Sequence, residues 1–318
     1  MADAGGLLLV HAHPDDEAMT TGGLIAAAVD AGHRVDLVTC TDGAEGEIHD
    51  PTLDPDEARP RLAEIRRAEL DCSLDALGGG AVRLHMLGYR DSGMIDTDAN
   101  AHPEAFWQAD LDGAIRRLVR IVRAARPAVM VSYDSNGGYG HPDHINAHRI
   151  AVGAFEAAAD PSRFPDAGPP HEIAKLYETA FPRERWFGLM MAMKERGIEL
   201  PWDFDESVEQ YAADELNPSN AEAVRQAGEQ LGAGEDAANF GTPESAITTR
   251  VDVSAVADRK RACMACHRTQ AQDLGWLLDL PDDLAAGALS PESFILVRWR
   301  GHEPLPVTLD ERDLFAGL

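Results

Sequence analysis

The chain has 318 residues and a formal net charge of −27, from 28 Lys and Arg against 55 Asp and Glu. That balance repels phosphate backbones and acidic membrane surfaces, so neither a nucleic acid nor a membrane is an expected partner. The apolar fraction of 44% suits a globular protein, and no apolar run approaches the roughly 18 residues of a membrane span.

The opening Met1-Ala2-Asp3-Ala4 is acidic and lacks the basic stretch of a signal peptide, so a cytoplasmic protein is expected. The run Leu7-Leu8-Leu9-Val10 reads as a buried parallel strand over Gly6–Val10. A helix is expected over Ala18–Ala31, then a strand over Arg34–Cys40 and a helix over Asp56–Leu77. The alternation continues with a strand at Val82–Met86, a helix at Phe106–Ala125 stopped by Pro127, a strand at Ala128–Tyr133 and a helix at Ile145–Ala159. This rhythm predicts an α/β fold with a doubly wound, mainly parallel sheet. The Pro-, Asp- and Gly-rich stretch 160–170 reads as a boundary. Residues 1–165 are expected to form the catalytic core, and 166–318 an α+β extension that completes the same domain and the substrate rim. In that extension, strands are expected at Ile173–Thr179 and Phe294–Trp299, and helices at Arg183–Lys194 and Ser254–Leu274. The acidic, turn-rich segment 201–245 predicts no regular element.

Four cysteines are too few for a disulfide scaffold of this size, and Cys40 and Cys72 read as small core residues. Cys263-Met264-Ala265-Cys266-His267 matches the c-type haem attachment string. Without a secretion signal haem attachment is not expected, and with no second C-x-x-C it is no zinc ribbon.

The chemistry concentrates after two strands. His13-Pro14-Asp15-Asp16 follows the first, and Tyr133 to His144 follows the fourth, ending in His141-Pro142-Asp143-His144. Ligands bind beyond the carboxyl ends of strands in open α/β sheets, so both turns face one rim. The turns Thr41 to Glu47 and Arg90-Asp91-Ser92-Gly93 face the same rim. Catalytic zinc takes three protein ligands and keeps one position open. His13, Asp16 and His144 supply two nitrogens and a carboxylate; iron(II) is the alternative occupant in the cell. Asp15 is then free to take a proton from the attacking water, and His141 to donate to the oxyanion of a tetrahedral intermediate. Asp143 is expected to fix a histidine ring, and Glu17 to cap or orient the helix it begins. A nucleotide-binding module would want Gly-x-Gly-x-x-Gly after the first strand. The sequence there is His11 to Asp16, acidic where a pyrophosphate would sit.

His13-Pro14-Asp15-Asp16-Glu17 together with His141-Pro142-Asp143-His144 resembles the LmbE-like (PIG-L) zinc-dependent deacetylases. The resemblance covers most of the chain and is strongest over residues 7–180. It implies a Rossmann-like fold and removal of an N-acetyl group from an N-acetylglucosamine-type conjugate. Within the family the chain resembles the mycothiol branch. Asn136-Gly137-Gly138-Tyr139-Gly140-His141 and Arg90 to Met94 look like its glucosaminyl-inositol deacetylase. Ala63-Glu64-Ile65-Arg66-Arg67, Arg163 to Gly168 and Leu314-Phe315-Ala316-Gly317 look more like its thiol-conjugate amidase. That amidase, or a deacetylase of a glycosylated secondary metabolite, is the alternative function. By resemblance, Arg66 and Asp91 contact sugar hydroxyls and Tyr139 assists at the scissile carbonyl, while Glu45 and Glu47 shape the rim. The implied partner is a small amino-sugar substrate, and a homo-oligomer is compatible with the pattern.

Overall fold

The computed structural model describes residues 5–199, 241–306 and 309–318. The four-residue N-terminus and most of the acidic segment 201–245 lie outside the described residues.

The chain begins with β1 (Gly6–His11), α1 (Asp16–Thr20), α2 (Gly22–Asp30) and β2 (Arg34–Thr41). It continues through α3 (Pro55–Ala58), α4 (Leu62–Gly78), β3 (Val82–Tyr89), α5 (Leu111–Ala125), β4 (Val129–Ser132) and α6 (Pro142–Ala159). Then come β5 (Lys175–Ala180), α7 (Arg183–Glu195), β6 (Thr249–Val251), α8 (Ala257–Cys266), α9 (Ala271–Leu278), α10 (Asp282–Leu289) and β7 (Glu292–Trp299). The strands form one sheet in the order β3-β2-β1-β4-β5-β7-β6. The first five are parallel, and β7 and β6 add antiparallel.

The pleat of β1 explains its unbroken apolar run. Leu7 and Leu9 enter one core with Ile25, Leu70, Met190 and Met264, while Leu8 and Val10 enter the other with Leu118, Ile150 and Phe155. A strand covered on both faces has no polar alternation to show. Local chemistry sets the helix ends. Pro142 occupies the first turn of α6 and His141 caps it, so that helix starts three residues before the expected Ile145. Asp110 caps α5 through Gly113 N–H, leaving Phe106–Gln108 as a separate 3-10 turn. Arg126 in the left-handed region, followed by Pro127, ends α5. The amide ends of Gly23 and Leu24 in α2 are capped from afar by the Glu292 carboxylate at 2.8 and 2.7 Å. The boundary stretch 160–170 is wrapped around Arg123. Its buried guanidinium donates to the carbonyls of Ala157, Ala158, Asp160, Arg163, Phe164 and Gly168.

Several expectations are corrected: the helix expected over Ala18–Ala31 breaks at Thr21 into α1 and α2, and that over Asp56–Leu77 divides into α3, a 3-10 turn and α4. The helix expected over Ser254–Leu274 breaks at His267, which separates α8 from a 3-10 turn and α9. Cys72 is no core residue: it lies exposed on α4 and is bonded to Cys266 at the end of α8, with a Cα–Cα distance of 5.8 Å. Cys40 and Cys263 are buried free thiols. Among the described residues, no helix is long and apolar enough to cross a membrane.

Candidate metal centre and active site

Strand order reverses between β1 and β4, which are neighbours in the sheet centre. Connections leave them on opposite faces, so a crevice opens beyond their carboxyl ends. The turn after β1 supplies His13, Asp15 and Asp16; the loop after β4 supplies Tyr139, His141 and His144.

The ring nitrogens assign themselves through their partners. His144 Nδ1 lies 3.0 Å from the Gly137 carbonyl, so it carries the proton and leaves Nε2 with a lone pair. His13 Nε2 lies 3.3 Å from the Asp143 carboxylate, which leaves Nδ1 as the lone-pair atom. These two free nitrogens face each other at 3.2 Å. Asp16 closes the triangle, its oxygens 3.4 Å from His13 Nδ1 and 3.3 Å from His144 Nε2. Metal–ligand bonds of about 2.0–2.1 Å at tetrahedral angles separate neighbouring donors by about 3.3 Å. The donor set and its spacing therefore fit a divalent metal. The surrounding charge fits as well, because Asp91 and Asp143 also flank the His13 ring, at 3.6 and 3.3 Å.

Asp143 is fully buried and is held by Ser92, whose amide donates to it at 2.9 Å and whose hydroxyl also bonds it. Gly137 makes the His144 contact possible. Its φ is +65°, and a Cβ there would lie 2.6 Å from His144 Cβ.

Asp15 stands beside the triangle in a backbone conformation rare for a side-chain-bearing residue, at φ +139°. Burial pushes its carboxyl up to about 7, against the opposing pull of Arg66, whose Nη2 is 2.9 Å from Oδ2. A carboxyl near neutrality is matched to proton transfer. His141 accepts the Asp143 amide at Nδ1, 3.1 Å away, so its proton sits on Nε2. Burial, and then the neighbouring His13 and His144, lower its pKa to about 2. It is therefore a neutral N–H donor rather than an acid. Tyr139 is 56% exposed and its ring stands over the histidines, 5.1 Å from His144 and 6.1 Å from His141 between centroids.

Arg66 and Asp91 are buried in the same wall. Arg66 also donates to the Gly43 and Pro14 carbonyls at 2.8 and 2.9 Å. Asp91 accepts the amides of Gly93 and Glu45 at 2.9 and 3.1 Å. The Glu45 carboxylate pairs with Arg90, and the Glu47 carbonyl accepts the Gln270 amide at 2.9 Å. Sequence reasoning missed the group behind Asp15. Glu17 bonds His267, Ser73 and the Asp15 amide. The signals for it were the C-x-x-C-H string that contains His267 and the acidic Glu17 at the head of a helix.

Residues 8–155 match the family model "PIG-L: GlcNAc-PI de-N-acetylase". The chain is also 42% identical to 1D-myo-inositol 2-acetamido-2-deoxy-alpha-D-glucopyranoside deacetylase 1 of Catenulispora acidiphila, over 98% of this chain and 89% of that one. It belongs to the PIG-L family. A second relative, the enzyme of the same name from Geodermatophilus obscurus, is 40% identical over 100% of this chain and 99% of its own. PIG-L proteins are generally metal-dependent deacetylases, and the crevice described above holds histidine and aspartate clusters that could bind a metal. Two solved structures are similar in fold. N,N'-diacetylchitobiose deacetylase from Pyrococcus horikoshii has a TM-score of 0.54 at 18% identity, covering 92% of this chain and 83% of that one. The 4-carboxy-2-hydroxymuconate hydratase GalB from Pseudomonas putida KT2440 has a TM-score of 0.57 at 18% identity, covering 95% and 99%. A deacetylase and a hydratase on one scaffold show that the site, not the fold, decides the chemistry.

Proposed function

We propose that this PIG-L protein hydrolyses the acetamide of a 2-acetamido-2-deoxyglucosyl-inositol, releasing acetate and the free amino sugar. The substrate reading is supported by relatives 40–42% identical over nearly the whole chain, whose names carry that substrate. The observation that carries the chemistry is the triangle of His13 Nδ1, His144 Nε2 and the Asp16 carboxylate, 3.2–3.4 Å on a side.

Those three residues hold the metal, and zinc suits two imidazoles and one carboxylate. When bound, it supplies Lewis-acid polarisation and lowers the pKa of water toward about 7. Asp15 accepts the proton of the attacking water and returns it to the departing amine. His141 Nε2–H donates to the oxygen that gains charge as the carbonyl becomes tetrahedral. Asp143 keeps the His13 ring turned with Nδ1 inward. Tyr139, on the open side, closes over the acyl group. Arg66 and Asp91 form the wall that meets the sugar, with Arg66 also holding Asp15 in place.

The test is primary-amine release from two compounds, the acetylated glucosaminyl-inositol and a bulky thiol-conjugated amide of the same sugar. Amine and acetate should appear from the first, vanish after chelation and return with zinc. His13→Ala and His144→Ala should lose the metal. Cleavage of the bulky amide alone would replace the deacetylase reading with the amidase one.

A further inference from the structure

The group behind Asp15 has no part in the chemistry above. Glu17 is fully buried and uses both carboxylate oxygens. Oε1 lies 2.7 Å from His267 Nε2 and also takes the Ser73 hydroxyl. Oε2 accepts the Asp15 amide at 3.0 Å. Asp15 is the residue with φ +139°, a conformation that persists only where its surroundings hold it. Its amide bond to Glu17 is one of those holds.

The two partners of Glu17 come from different helices. Ser73 lies on α4, and His267 follows α8. In each case the preceding residue is a cysteine, and Cys72 and Cys266 are bonded to each other across 194 residues of sequence. The bridge therefore joins the two walls of the Glu17 seat at the positions next to its hydrogen-bonding groups. Cys72 is exposed and Cys266 partly so, whereas Ser73, Cys263 and His267 are buried. Both bridged cysteines meet solvent, whereas the seat does not.

We infer that Glu17 is a positioning residue for Asp15, and that the Cys72–Cys266 disulfide is the clamp that keeps its seat closed. The inference rests on the deacetylase reading, in which Asp15 moves the proton. A dithiol opens the clamp by giving two electrons and two protons to the bridge. This leaves thiols at Cys72 and Cys266, and the dithiol ends as a disulfide. The seat then depends on packing and on the remaining hydrogen bonds between its walls, Ser73 with Cys263 and Thr269 with Glu69, and Asp15 loses part of its fixed aim.

The experiment compares oxidised protein, dithiothreitol-reduced protein, Glu17→Gln, Glu17→Asp and the pair Cys72→Ser with Cys266→Ser, all loaded with zinc. Readouts are kcat and KM on the acetylated substrate, bound zinc, thiols counted in denaturant, and hydrogen exchange of the peptide spanning residues 11–19. A 1 Å misplacement costs about a hundredfold in rate, so Glu17→Gln should lose about that much kcat, with KM within about twofold and zinc retained. Glu17→Asp should recover part of it. Reduction should expose two further thiols, speed exchange of the peptide and lower kcat on the order of tenfold, reversed by reoxidation. The serine pair should match the reduced protein and ignore reductant. Full kcat per zinc-loaded molecule in Glu17→Gln would overturn the inference. So would reduction of the bridge with kcat and exchange both unchanged. If the oxidised protein releases no acetate at all, the functional reading fails. The exchange of the peptide in Glu17→Gln and in the reduced protein then still decides the positioning claim.

Discussion

Replacing Gly137 with alanine tests whether the loop after β4 sets the proposed metal ligand His144. The added Cβ would stand 2.6 Å from His144 Cβ and 2.8 Å from the Ile145 amide nitrogen. Ordinary contact begins at 3.4 Å, so the loop and His144 must separate by the difference, 0.8 Å. That movement loosens the 3.0 Å bond between His144 Nδ1 and the Gly137 carbonyl, which fixes the ring. Loss of such a partner costs about 10–100-fold in metal affinity, or about 1.4–2.7 kcal/mol. The left-handed backbone adds roughly 1–2 kcal/mol to the loss of stability. Gly138 supplies the control: its φ is +80°, yet nothing lies within 4 Å of an added Cβ. Gly138→Ala should therefore lose similar stability and keep its metal affinity. Competition between the protein and a chromogenic zinc chelator reads the affinity, and thermal unfolding of the metal-free proteins reads the strain. If Gly137→Ala folds and holds zinc within about threefold of wild type, the argument that this glycine seats His144 is wrong.

Three further outcomes follow from the same geometry. His141→Ala removes the proposed N–H donor and keeps the three proposed ligands in the sequence, so kcat should fall about a hundredfold or more with zinc content intact; an unchanged kcat would remove His141 from the reaction. Arg123→Met strips the donors from six carbonyls named above and should cost about 3 kcal/mol, read as a Tm lowered by several degrees, whereas an unchanged Tm would make that cage dispensable. Glu178 faces His148, Asp134 and Arg298; burial first, and then Asp134, push its carboxyl up to about 7. A raised carboxyl weakens the fold progressively as pH climbs from its ordinary value through about 7, so Glu178→Gln should raise Tm at pH 8 and leave it nearly unchanged at pH 4.5. Equal effects at both pH values would contradict that sign.

The central strands were legible because burial on both faces writes itself as an unbroken apolar run, as in Leu7 to Val10. The candidate metal-binding residues were legible because such chemistry demands His and Asp at strand ends. Other features depend on partners far away in sequence. β6 is three residues long and is defined by its pairing with β7 and its bridge to Glu311, both far away in sequence. The helical composition around Ser254–Leu274 continues across His267, so nothing local announced the break that turns His267 toward Glu17. Cys72 sits on an exposed helix face, and only its approach to Cys266 shows that it is bonded. Arg66 reads as a helix charge, yet its hydrogen bonds reach back 23 residues to Gly43 and 52 to Pro14.

The account stands most directly on Asp15. Asp15→Asn keeps the shape and the neighbouring ligands but removes the group that takes the proton. Acetate release from the acetylated glucosaminyl-inositol should fall by about 10²–10⁴ while one zinc per chain remains bound. Hydrolysis at the wild-type rate by zinc-loaded Asp15→Asn would contradict the account.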